Sequence, residues 1–155
     1  MKRAILFLLI LCSLLLCACA GKPAAKAAIP EPEALAAELL ASGAFSEDLA
    51  LAENEVGCFL YALEASDAPA MRYYFSSGAV ADEIAILPCA DEAAAQKAFT
   101  ECGTRLELQT MLYTEYKPEE VPKLEKALVL RRDNTIVLCV AADMEKAKAV
   151  LDKYF

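Results

Sequence analysis

The chain has 155 residues, 15 Lys and Arg against 23 Asp and Glu, a net charge of −8, and no histidine or tryptophan. That length fits one domain, and the charge lacks the basic footprint of a nucleic-acid binder. Without histidine, the chain cannot by itself supply a Ser-His-Asp triad, a histidine general base or a His-bearing zinc site.

The first element is an address. Lys2 and Arg3 precede an apolar run from Ala4 to Leu16. A charged start and a core of this length read as a secretory signal, too short for a transmembrane helix. The run ends Leu16-Cys17-Ala18-Cys19, which resembles the bacterial lipobox: an aliphatic residue, two small residues, then the cysteine that takes a diacylglyceryl thioether. Cys17 is a poor acceptor because bulky Leu16 sits just before it. The competing reading is Ala18-Cys19-Ala20 as an ordinary secretory cleavage site. Residues 1–18 are therefore expected to be a lipoprotein signal peptide. Residues 19–32 are expected to be the lipidated cysteine and a flexible tether, and 33–155 one folded domain. Cleavage removes Lys2 and Arg3, so the charge moves from −8 to −10. An anionic membrane repels such a domain, so the lipid must hold it there. The tether, with three prolines, reaches about 45 Å at most.

Thirty-one alanines raise the hydrophobic fraction without adding much area, yet enough Leu, Ile, Val, Phe and Tyr remain for one modest core. A helix is predicted over Pro32 to Ser42, with Pro32 in its first turn, a stripe of Leu35, Leu39 and Leu40, and Gly43 at its end. Ser46 and Asp48 open a turn. Val56, Phe59, Leu60 and Leu63 predict a short buried helix that Gly57 weakens. Strands follow over Met71–Ser76 and Glu83–Cys89, the second with Ile84 and Ile86 on one face and Ala85 and Leu87 on the other. Asp91 is the expected N-cap of a long helix to about Tyr116, with Ala95, Phe99, Cys102, Leu106 and Tyr113 as its stripe. Pro118 and Pro122 bracket a short helical turn. Ala127–Arg131 and Thr135–Ala141 are strands joined at Asp133-Asn134, and Asp143 caps a last helix.

The two halves echo each other: Ile84, Ile86, Ala90, Asp91 and Phe99 align, 52 positions on, with Ile136, Leu138, Ala142, Asp143 and Leu151. The expected fold is α+β, a four-stranded antiparallel sheet in a ββα–ββα pseudo-repeat with helices on one face, preceded by N-terminal helices.

The lipobox, the acidic first helix, Tyr74-Phe75-Ser76-Ser77-Gly78-Ala79 running into Asp82-Glu83-Ile84-Ala85, the long helix and the closing hairpin and helix form a set. Together they resemble a domain-of-unknown-function family of lipoproteins from Gram-positive, Clostridia-like anaerobes. The resemblance implies a surface lipoprotein. It brings no catalytic or binding residues with it.

Chemistry-bearing residues are few. Cys58, Cys89, Cys102 and Cys139 lack any C-x2-C spacing. Buried small hydrophobes are the plain reading, disulfides the second (export permits oxidation, three full pairings are open), and a metal or reactive thiol the third. Ser76-Ser77-Gly78 reads as a turn; a serine nucleophile there lacks a base, since Asp82 and Glu83 are weak bases unless buried. Glu115, Glu119 and Glu120 read as a solvated acidic face rather than a Ca²⁺ or acid–base site. Tyr61, Tyr73, Tyr74, Phe59 and Phe75 read as core before ligand groove. The expected function is a membrane-anchored extracytoplasmic binding or envelope-complex accessory module. It is held through lipid on Cys19, with an envelope protein as partner and no cofactor, metal, nucleic acid or catalytic residue. The alternatives are an envelope hydrolase or thiol-redox enzyme using carboxylates or cysteines, and a solute-capturing lipoprotein, for which the chain is short.

Overall fold

The computed structural model describes residues 26–155. The signal peptide, Cys19 and the first part of the expected tether lie outside the described residues. No helix among the described residues is long and apolar enough to cross a membrane.

The fold is α+β. Helices are α1 (Pro32–Ala41), α2 (Asn54–Leu60), α3 (Glu92–Tyr116), α4 (Val121–Glu125, after a 3-10 turn at Pro118–Glu120) and α5 (Met144–Leu151). Strands are β1 (Ala50–Leu51), β2 (Arg72–Phe75), β3 (Glu83–Pro88), β4 (Leu128–Arg132) and β5 (Thr135–Val140). They form one antiparallel sheet in the order β1-β2-β3-β5-β4. The fifth strand beyond the expected four is β1, two residues paired with Tyr74 and Phe75. It is too short to leave any alternation for a sequence reading to find.

The helices lie on both faces of the sheet, not one. Ala85, Leu87, Ile136, Leu138 and Val140 pack with Tyr73 against α3 and the end of α2. Ile84, Ile86, Val137, Cys139 and Tyr74 pack against α1 and α5. The two central strands carry large or small apolar side chains at successive positions, the mark of a strand buried on both sides. The ββα order does repeat, but α3 and α5 cover opposite faces. Residues 52 apart, such as Ile84 and Ile136, accordingly look into different cores. The echo is one of element order and cap chemistry. Both caps form: the Asp91 carboxylate accepts from the Ala94 N–H at 2.8 Å and Asp143 from the Lys146 N–H at 3.3 Å.

Two helix phases differ from the expectation. In α2 the buried residues are Gly57 and Cys58, while Val56 is exposed and Phe59 is 83 % exposed. A Cβ on Gly57 would sit 2.8 Å from Met71 Cε, so the glycine is the contact point of this helix rather than its weakness. In α3 Phe99 turns outward while Ala95, Ala98, Cys102 and Tyr113 are buried. The end of the expected tether lies on the domain. Ala27 N–H donates to the Lys153 carbonyl at 2.9 Å, Lys26 Nζ to that of Asp152 at 2.5 Å, and Ile29 packs on the α1–α5 core.

Candidate functional site

Glu83 opens β3 on the face that looks toward α3, and it is buried with an exposure of 1 %. It pairs with Phe75 of β2, and strand alternation puts Tyr73 on the same face, diagonal to it. Arg105 and Gln109, one helical turn apart on α3, reach it from above. Tyr61, where α2 ends, reaches it from the side. Arg105 grips the carboxylate with both arms, Nε to Oε1 at 3.2 Å and Nη2 to Oε2 at 2.8 Å. Gln109 Nε2 donates to Oε2 at 2.7 Å and Tyr73 Oη at 3.2 Å, and Tyr61 Oη donates to Oε1. Burial, and then the Glu83 charge, push the Tyr61 and Tyr73 hydroxyls up, so both stay donors. Burial pulls Arg105 down, but its bonds to Glu83 outweigh that and its pKa is raised. With five donors on two oxygens, Glu83 has no lone pair left for a substrate proton. This is a pinned ion pair joining four elements. Gln109 Oε1 is buried without a partner; turning the amide over would set its oxygen against the carboxylate.

The Ser76–Asp82 loop is clasped from outside. Ser76 Oγ donates to the Val80 carbonyl at 2.5 Å, as does Tyr113 Oη, and Lys117 Nζ donates to the Ala79 carbonyl at 2.7 Å. Gly78 sits at φ +86°, a conformation that favours glycine. Asp82 accepts from Ser46 N–H at 2.5 Å and pairs with Lys123 at 3.1 Å, and Lys123 also pairs with Glu120 at 2.7 Å. Glu120 accepts from the Ala81 N–H at 2.9 Å. The expected turn is present, and the Ser76 proton is committed to a backbone carbonyl. Glu120 departs from the expected solvated face. It is buried, whereas Glu115 and Glu119 are exposed.

The other expected candidates separate. Tyr61, Tyr73 and Tyr74 are core residues, with Tyr61 edge-on to Tyr73 and Phe75 stacked on Tyr73 at 5.7 Å. Phe59 points away from them into solvent, so no aromatic groove forms. Cys58, Cys89, Cys102 and Cys139 are all free. Burial pushes the Cys89 thiol up to about 11 and Cys139 up to about 12, and Cys102 higher still. Cys139 belongs to the opposite core from Cys58, Cys89 and Cys102. Among the described residues no three His, Cys, Asp or Glu side chains are grouped to hold a metal ion. Three surface depressions of about 370–540 Å³ are open to solvent, and none adjoins Glu83.

What stands out is the outer face of α3. Leu108, Met111, Leu112 and Tyr116 follow the i, i+3, i+4, i+8 spacing of one helical face. All are more than half exposed, Met111 at 69 % and Tyr116 at 65 %. Glu107 and Glu115 stand beside the ridge, exposed, and neither has a cation within ion-pair distance among the described residues. Neither the ridge nor the Glu83 hub is among the sites expected from the sequence. For the hub a signal existed: Gln109 interrupts the apolar stripe of α3 between Leu106 and Tyr113, with Arg105 one turn earlier.

No curated protein and no solved structure matches this chain. One family model does, over residues 58–141, and those residues contain the Glu83 hub, the Ser76–Asp82 loop and the whole α3 ridge. The match spans just over half of the chain, so the protein belongs to the DUF4358 family, a domain of unknown function.

Proposed function

We propose that this protein is a lipid-anchored extracytoplasmic docking module. It is tethered through Cys19, and the α3 ridge binds an envelope protein that presents a segment with Lys or Arg beside apolar side chains. The anchor rests on Leu16-Cys17-Ala18-Cys19. The docking role rests on one observation, the exposed apolar ridge of Leu108, Met111, Leu112 and Tyr116 on a helix whose opposite side is buried in the core. Contiguous exposed apolar side chains rimmed by charge mark interaction surfaces. Glu107 and Glu115 choose the partner's sign. A second copy of the chain would set these carboxylates against their equals, and an anionic bilayer would repel them. The buried, fully bonded Glu83 hub supports binding over catalysis, because it stiffens the helix that carries the ridge and leaves no lone pair on Glu83 for proton transfer.

The test is isolation of the lipidated protein from its own membranes, comparing wild type with Leu108→Glu/Leu112→Glu and with the control Ala149→Glu. The reading expects a stoichiometric protein partner with wild type and control, lost with the ridge variant. The complex should weaken as salt rises from about 0.1 to about 0.5 M, where charge attraction is screened. Partner retention by the ridge variant, or loss with the control alone, overturns it.

A further inference from the structure

The chain leaves its lipid at one end of the domain and carries its ridge at the other. Lys26 and Ala27 are bonded to the carbonyls of Asp152 and Lys153, and Ile29 is packed on the α1–α5 core. Arg132 ties the same spot together, Nη1 donating to the Tyr154 carbonyl at 2.7 Å and to that of Ala27 at 2.5 Å. This is the end of the sheet where β4 turns into β5. Its neighbour Arg131 pairs with Glu92 and bonds Gln96, in the first turns of α3. The last turns of α3 lie at the opposite end, where Tyr113 and Lys117 hold the loop at Ala79 and Val80. Along a helix of 25 residues, the ridge from Leu108 to Tyr116 is about 24–36 Å from its first residue.

Six residues lie between Cys19 and Lys26, seven Cα steps with a reach of about 25 Å at full extension. From this we infer that the β4–β5 hairpin end, with Lys26, Arg132 and Lys153, is the surface that faces the phospholipid headgroups, and that the α3 ridge stands away from the bilayer. The inference rests on the lipid at Cys19. Charge agrees with it. Lys26, Arg132, Lys148 and Lys153 gather here beside Glu38, Asp133 and Asp152, so this end lacks the carboxylate excess of a chain at −8. Repulsion from anionic lipid is weakest on this side. A docked segment also does what a free tether cannot: it fixes which side of the domain the membrane sees.

The experiment places the native lipidated chain in bilayer discs of phosphatidylcholine and phosphatidylglycerol containing a gadolinium-chelating lipid, and reads amide relaxation by NMR. Amides at 26–28, 133–134 and 152–154 are expected to relax several-fold faster than those at 78–80 and 112–117. Uniform relaxation, or the fastest at 112–117, overturns the orientation. Ile29→Ser, which loosens the segment, is expected to flatten the gradient; an unchanged gradient overturns the role of the docked segment. Intact mass keeps the two readings apart. Absence of a diacylglyceryl group on Cys19 removes the anchor itself, whereas a lipidated chain with a flat profile removes the orientation alone.

Discussion

Glu83 shows how much one side chain can organise. Tyr61, Tyr73, Arg105 and Gln109 all end on its carboxylate, so Glu83→Ala strands a guanidinium and an amide at once. The expected cost is about 3 kcal/mol, at the lower end for a broken buried pair because Arg105 keeps some exposure; urea unfolding measures it, and a cost under about 1 kcal/mol contradicts the hub. The thiols give a second residue-level expectation. Cys102 and Cys139 should react with a disulfide reagent only at the rate of unfolding, since thiolate is the reactive form and burial suppresses it. Their raised pKa also sets an alkaline limit. The unfolded chain releases these protons from about pH 9, while Cys139 in the fold holds its proton to about 12. Their contribution to stability is therefore complete below about pH 9 and declines above it. Glu120 acts at the other side: burial raises its pKa but bonds from Lys123 and Ala81 lower it further, so its contribution is complete above about pH 4.5 and fades below.

At the scale of elements, punctuation was legible and helix phase was not. Asp91, Asp143, Asp133-Asn134, Pro118 and Pro122 mark boundaries that the structure places within a residue or so, because caps and turns are local chemistry. Asp91→Ala and Asp143→Ala should each cost about 1 kcal/mol in thermal or urea unfolding and leave partner binding unchanged. The phase of α2 depends on Met71 lying across Gly57, a contact 14 residues away that no periodicity reveals. For the same reason α3 hid its ridge. Leu108, Met111 and Leu112 read as ordinary apolar helix residues until the opposite side, from Ala95 to Tyr113, is seen to fill the core alone. The docked segment is a third case, since Ile29 is a lone hydrophobe among alanines and prolines. A chain starting at Glu31 loses that contact, at a cost of about 1 kcal/mol for a half-buried isoleucine and roughly 4 °C in Tm. An unchanged melting temperature returns the whole segment to the role of a free tether.

For the whole molecule, the sheet buries both faces, and its central strands reach the surface only at Pro88 and Thr135. Recognition is left to the rims and to α3. The fold class was readable because strand runs, caps and hairpin agree with one another. The site was not, because an exposed helix face is defined by what the other described residues leave uncovered. In the proposed role, the α3 ridge takes a cationic, apolar protein segment. A photo-crosslinker at Leu112, activated in the protein's own membranes with Ala149 as the control position, tests it most directly. A protein adduct is expected at Leu112, joined within a segment bearing Lys or Arg beside apolar residues, and no protein adduct at Ala149. Leu112 adducts to lipid or to a second copy of the chain, or protein adducts equally from both positions, contradict it.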